Sequence, residues 1–269
     1  MSPPPDLLKH LEALQRPVPI RPMGLFVDID GTIAPIIADP AAVTVSDEVR
    51  DALAALAAHI TVVALTGRDV ASARGIVGLD SVVYAGNHGT EWLEEGRTSV
   101  LPEVQSYVPS MHALAETVQR RLSGLEGLYI EDKGPTLSLH YRGARDPSAA
   151  RDEIQAMLRQ TAEAGGLVIS EGKMVIEVRP PLPVNKGTAL TRMVRRRGLR
   201  SGLVLGDDTT DVDAFVAMRN LSGIDGLTVA VLAPDAPASL LAAADYALSG
   251  TEAAQALLTW LAGEVAGGG

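Results

Sequence analysis

The run Asp28-Ile29-Asp30-Gly31-Thr32 sets two carboxylates two residues apart, just ahead of a glycine. With that spacing one carboxylate can attack a phosphoryl group while the other protonates the departing oxygen. Strand alternation alone places Asp28 and Asp30 on one side, and Gly31 lets the chain turn and re-aim them. The same run also reads as a polar turn between a strand and a helix. A second run, Gly206 to Asp213 (GDDTTDVD), holds Asp207, Asp208, Asp211 and Asp213 within seven residues. Such a density of charge repels itself unless a cation sits there. Helix capping by Asp208 or Thr210 accounts for one or two of these acids but explains four poorly. The chain has no cysteine, so thiolate chemistry, disulfides and zinc-thiolate sites are excluded, and oxygen ligands suit Mg2+.

Thr66-Gly67-Arg68 offers a hydroxyl and backbone N–H groups ahead of a helix start, an arrangement that can cradle an anion. Lys186, in Asn185-Lys186-Gly187, opens another helix, where the dipole disfavours a cation. A carboxylate or phosphate partner would explain it, although an exposed lysine is the ordinary alternative.

The elements that must position these residues follow from hydropathy. Apolar runs at Met23–Ile29, Ile60–Leu65, Val82–Ala85, Leu203–Leu205 and Thr228–Leu232 read as buried strands. Helical patterns lie between them: Ser46 caps one carrying Val49, Ala52, Leu53 and Leu56, and another spans Lys186–Arg197. Strands alternating with helices predict an α/β, Rossmann-like, doubly wound parallel sheet, with ligands bound at the carboxyl ends of its strands. The candidate residues all fall at such ends. From 104 to 181 the pattern changes to helix–strand–strand, twice, with Leu137, Leu139 and Tyr141 alternating against Ser138, His140 and Arg142. That predicts an inserted α+β domain, an antiparallel sheet with helices on one face. The expected organisation is an arm over 1–20, a core of 21–103 and 182–269, and the insert between them.

The length of 269 residues fits one interrupted domain with an insert. Aromatics are only 3%, so the core must be aliphatic. Lys and Arg number 23 against 33 Asp and Glu, a net charge of −10, which argues against nucleic acid and anionic membranes as partners. No apolar stretch reaches the ~18 residues of a membrane span, and prolines and charges occupy the N-terminus. A cytoplasmic protein is expected, with no protein partner evident.

In order, DIDGT, TGR, the lysine of NKG and GDDTTD resemble the four motifs of the haloacid dehalogenase superfamily of phosphohydrolases. GNHGTEW, IEDKGPTLSLHYR, EGKMVIEVRP and GDDTTDVDAF narrow the likeness to trehalose-6-phosphate phosphatases. The resemblance covers roughly 21–103 and 182–262, with the insert as the superfamily's cap. It implies a phosphatase of trehalose 6-phosphate that works through an aspartyl-phosphate on Asp28, with Asp30 as general acid and base. Thr66 and Lys186 would hold phosphoryl oxygens. Mg2+ would be held by Asp28, the carbonyl of Asp30 and Asp207, with Asp208 and Asp211 close behind. Glu131, Lys133, Lys173, Glu177 and Arg179 would bind the sugar, with Gly31, Gly67, Arg68, His88 and Gly89 also on the substrate side. Val212 stands where the family carries a glutamate, which bears on the substrate assignment. Another glycosyl phosphate, a sugar phosphomutase and a non-catalytic sugar-phosphate sensor are the alternatives.

Overall fold

The computed structural model describes residues 4–37, 39–161, 165–172 and 174–267. The chain divides into two compact units, Met1–Ser99 with Val184–Gly269, and Val100–Pro183.

The first unit is built on an eight-stranded sheet. In chain order its elements are β1 (Met23–Val27), α1 (Asp47–Ala57), β2 (Thr61–Leu65), α2 (Val70–Val77), β3 (Val83–Gly86), β4 (Glu91–Glu94) and β5 (Arg97–Val100). In the second unit come α3 (Pro102–Gln105), α4 (Val108–Arg121), β6 (Tyr129–Asp132), β7 (Leu137–His140), α5 (Pro147–Thr161), β8 (Val168–Gly172) and β9 (Val175–Arg179). The chain then returns to the first through α6 (Lys186–Arg197), β10 (Ser201–Gly206), α7 (Thr209–Asn220), β11 (Asp225–Val231), α8 (Ala238–Ala243), β12 (Tyr246–Leu248) and α9 (Gly250–Gly267).

The large sheet runs β12-β11-β10-β1-β2-β3-β4-β5, with every pair from β12 to β3 parallel. The parallel, doubly wound α/β sheet expected from the alternation of elements is therefore present. Met23, Leu25 and Val27 share one buried cluster with α1, α2 and α9 residues such as Leu53, Ile76 and Leu257. On the other face a side chain at Gly202 or Gly226 would strike Met218 of α7, and α7 lies against α6. Both faces are thus covered, which is why the strands are continuously apolar. Leu7 and Leu14, in the segment expected as an arm, are fully buried in the same cluster.

The edge hairpin β4 and β5 is absent from the sequence-based expectations. β4 pairs antiparallel with β3, and the two-residue turn Glu95-Gly96 has positive φ at both positions. Glu-Gly flanked by Trp92, Leu93 and Val100 was the available signal, weak because Arg97, Thr98 and Ser99 are exposed and carry no apolar alternation.

The second unit is an antiparallel sheet in the order β6-β7-β9-β8. Leu137, Leu139, Ile176 and Val178 pack with Met111 and Val118 of α4 and Ile154 and Leu158 of α5, so the helices cover one face. No helix among the described residues is long and apolar enough to cross a membrane.

Candidate active site

β1 and β10 are neighbours at the centre of the large sheet, so their carboxyl ends open side by side. Asp28 follows β1 and donates its backbone N–H to the carbonyl of Leu205, while Asp207 follows β10. Both side chains are buried. Carboxylate oxygens of Asp28, Asp207 and Asp211 all lie within 4.8 Å of one another, close enough to share one cation.

Lys186 completes this group. Its ammonium lies 3.0 Å from Asp28 Oδ1 and 2.8 Å from Asp211 Oδ1, and it is 2% exposed. Asn185 caps α6 reciprocally with Thr188, which places Lys186 in the first turn. The helix dipole opposes a cation there, and two carboxylates offset it. Burial works to lower the Lys186 pKa, but Asp211 and Asp28 outweigh it and the net shift is upward.

Asp211 is bound on both oxygens. Oδ1 accepts from Lys186, and Oδ2 accepts from the backbone N–H groups of Asp207 (3.0 Å) and Asp208 (3.1 Å). A side chain at Gly206 would overlap the Asp211 carboxyl, so only glycine lets β10 pass so close. Asp211 thereby fixes the backbone of the second acidic run and steers Lys186.

Asp28 and Asp207 are the other two carboxylates of the group. Burial, and then the charges of Asp211 and Asp207, push Asp28 well above the usual carboxylate range despite Lys186. Burial and Asp211 likewise push Asp207 up to about 7. Two adjacent buried carboxylates held against their own ionisation form a donor set that fits a divalent cation with oxygen ligands, Mg2+ in particular. The hydroxyl of Thr32 donates to Asp207 Oδ1 (3.0 Å) and orients it.

The carboxylates of Asp208 and Asp30 have partners of their own. Asp208 caps α7, accepting from Thr209 N–H at 2.7 Å and from its hydroxyl at 3.2 Å, because a carboxylate ahead of a helix start satisfies free amides. The Asp30 carboxylate takes a two-pronged contact from Arg68, with Nε to Oδ2 at 2.6 Å and Nη2 to Oδ1 at 2.7 Å. Arg68, expected on the substrate side, therefore has its guanidinium on a carboxylate.

Thr66 is buried at the end of β2, and its Oγ1 accepts from the Arg68 N–H at 3.1 Å, leaving the hydroxyl proton to donate. At the start of α2, Asp69 accepts from Ser72 N–H and Glu91 from Val70 N–H. Glu91 also accepts from Asn87 Nδ2 at 3.1 Å. It thereby ties α2 to the left-handed turn Asn87-His88-Gly89, where φ is +48°, +57° and +102°. The His88 ring lies over Gly67, where a Cβ would stand 2.8 Å from it. Thr32 and Glu91 are the residues that sequence reasoning missed. Thr32 stood inside DIDGT and Glu91 inside GNHGTEW, but neither spacing says what the side chain reaches.

In the second unit the strand register aligns Glu131, Ser138, Glu177 and Ser170 in one row across the sheet. Arg179 is two residues along from Glu177, on the same face. Glu131 Oε2 is 3.0 Å from His140 Nε2 and 3.5 Å from Lys133 Nζ. Burial works against its ionisation, but His140 and Lys133 outweigh this and hold its pKa below the usual value. Lys173 lies outside the described residues.

The family model described as trehalose-phosphatase matches residues 26–248. The trehalose-phosphate phosphatase of Mycobacterium marinum is 35% identical over 87% of this chain and 64% of its own length. A Mycobacterium tuberculosis protein described as an uncharacterized glycosyl hydrolase is 34% identical over 80% of this chain, but only 17% of itself. This chain thus spans less than two thirds of either relative. Among solved structures, the C-terminal domain of the C. albicans trehalose-6-phosphate phosphatase matches with a TM-score of 0.77 and 25% identity, over 97% of this chain and 98% of that domain. A match running from β1 to β12 takes in both acidic runs, Thr66 and Lys186, and the chain belongs to the trehalose-phosphatase family.

Proposed function

We propose that the protein is a Mg2+-dependent phosphatase that hydrolyses trehalose 6-phosphate to trehalose and phosphate. The observation that carries this reading is the cluster of Asp28, Asp207 and Asp211, with Lys186 paired to Asp28 and Asp211, in a chain of this family.

Asp28 and Asp207, with the backbone carbonyl of Asp30, would hold the cation, which supplies charge stabilisation to the phosphoryl oxygens. Asp28 is the nucleophile. Its carboxylate oxygen bonds to phosphorus as the bond to the sugar oxygen breaks, and that oxygen keeps the electron pair and takes the proton of Asp30. Asp30, now ionised, takes a proton from water as the water oxygen bonds to phosphorus. The bond to Asp28 then breaks and phosphate leaves. Lys186 balances the buried carboxylates and, with the Thr66 hydroxyl, faces the phosphoryl oxygens. Preorganised charge of this kind needs little rearrangement as the transition state forms. Glu131, Lys133, Glu177 and Arg179, with Lys173, are assigned to the sugar hydroxyls.

The test is phosphate release from a panel of sugar phosphates with Mg2+. Trehalose 6-phosphate should turn over far faster than glucose 6-phosphate, glucosylglycerol phosphate or mannosylglycerate phosphate. Equal rates across the panel would remove the substrate assignment, and no release from any of them would remove the phosphatase.

A further inference from the structure

We infer that Arg68 is the positioning residue of Asp30, holding the plane of its carboxyl group for proton transfer to the leaving oxygen, and is not a ligand of the phosphate. The inference rests on the phosphatase reading above and adds to it a role for Arg68.

The backbone of Asp30 is fixed by a tight turn. Ile29 O accepts from the N–H groups of Ile33 and Ala34, and Gly31 donates to Ala34 O. That turn leaves the carboxyl group free to rotate about its own bonds, and Arg68 removes the freedom. Its guanidinium presents Nε and Nη2 as a planar fork to the two oxygens of Asp30, at 2.6 and 2.7 Å. A fork of this kind sets the orientation of a carboxylate as well as its distance. Arg68 is itself braced. Nη1 donates to Pro40 O at 2.9 Å, its backbone N–H donates to Thr66 Oγ1, and its carbonyl accepts from Asn87 N–H. The ends of β1, β2 and β3 are thereby linked through one residue, its side chain reaching Asp30 and its backbone Thr66 and Asn87. The Nε and Nη2 edge is taken by Asp30, and Nη1 is turned to Pro40 O and, at 3.4 Å, Ser72 Oγ.

The consequence is specific to the leaving group. An alkyl phosphate such as trehalose 6-phosphate needs a proton on its departing oxygen, whereas p-nitrophenyl phosphate departs as a stable phenolate and does not. A residue acting through Asp30 therefore matters for the first ester and little for the second. Measured with Mg2+, Arg68→Met should lower kcat on the alkyl ester by about 10- to 100-fold with KM little changed. On the aryl ester the loss should stay within about 3-fold, since only the proton-transfer contribution is removed. In an Asp30→Asn background the further substitution of Arg68 should cost no more than about 2-fold, because residues acting as a unit are not additive. Arg68→Lys keeps the charge but not the fork, and should show the same preference for the aryl ester. It carries the comparison if Arg68→Met does not fold. Equal losses on both esters and in both backgrounds, with a raised KM, would make Arg68 a phosphate ligand and overturn the inference. A wild-type protein that releases phosphate from neither ester would instead remove the phosphatase reading, and this inference with it.

Discussion

The ammonium of Lys186 stands 3.0 Å from Asp28 Oδ1, and both groups are almost entirely shielded from water. Two elements far apart in the sequence, the exit of β1 and the first turn of α6, bring them together. Lys186 also contacts Asp211, so one positive charge serves two carboxylates while Asp207 stands next to them. The group carries an excess of negative charge, and burial magnifies its cost.

Replacing Lys186 by Met should therefore be costly in two ways. The protein should lose on the order of 3 kcal/mol of stability, the size of effect seen when one partner of a buried pair is removed. Turnover should fall by about 100- to 1,000-fold, the scale for one preorganised charge at a phosphoryl centre. Chemical denaturation and phosphate release measure the two separately. Stability and turnover both near wild type would show that the ammonium is dispensable.

The metal-free protein should become less stable as pH rises. The carboxyl group of Asp207 in the native state is pushed up to about 7, against about 4 in an unfolded chain. Between those values the native state keeps a proton that the unfolded state has lost, so its stability declines as pH climbs from about 4 through about 7. Asp28, raised by burial and its acidic neighbours, acts in the same direction. In chelator the melting temperature should drop across this window, less so for Asp207→Asn. Added Mg2+ should restore it at pH 8 far more than at pH 5. An equal effect of Mg2+ at both pH values would contradict the argument.

Gly31 should not tolerate alanine. Its φ is +80°, and a Cβ would overlap the carboxylate of Asp207. The backbone conformation alone costs about 1 kcal/mol, and the overlap must also displace the carboxylate proposed to hold Mg2+. The concentration of Mg2+ giving half-maximal activity should rise by at least about 10-fold in Gly31→Ala, as expected when the support of a metal ligand is disturbed. An unchanged Mg2+ titration would mean that Asp207 is not a ligand.

Glu177→Gln and Glu131→Gln should change selectivity more than chemistry. Both residues belong to the polar row of the second sheet, and charge-assisted hydrogen bonds to hydroxyls are worth about 1.5–3 kcal/mol. The kcat/KM for trehalose 6-phosphate should fall about 10- to 100-fold further than that for p-nitrophenyl phosphate. Parallel losses on the two esters would count against a sugar contact.

The parallel sheet, the inserted α+β unit and the strand ends that carry Asp28, Thr66 and Asp207 were legible in the sequence, because buried strands are continuously apolar and chemistry-bearing residues interrupt them. The hairpin of β4 and β5 was not, since an exposed edge strand carries no hydrophobic period. Residue type and spacing likewise marked Asp28, Lys186, Asp207 and Asp211, for four acids in seven residues and a lysine at a helix start both demand a partner. What spacing could not say is which partner each side chain meets. Asp208 turned to its own helix end and Asp211 to Lys186, and only their directions out of one loop distinguish them. Arg68, which follows Thr66-Gly67, was expected on the substrate side. The carboxylate its guanidinium meets, Asp30, comes from the end of another strand, and hydrogen bonds between strand ends exist only once β1 and β2 lie side by side. Local pattern determines which segments are strands and where charge is concentrated. The direction of each charge is decided by packing, which depends on contacts between residues that the sequence keeps far apart.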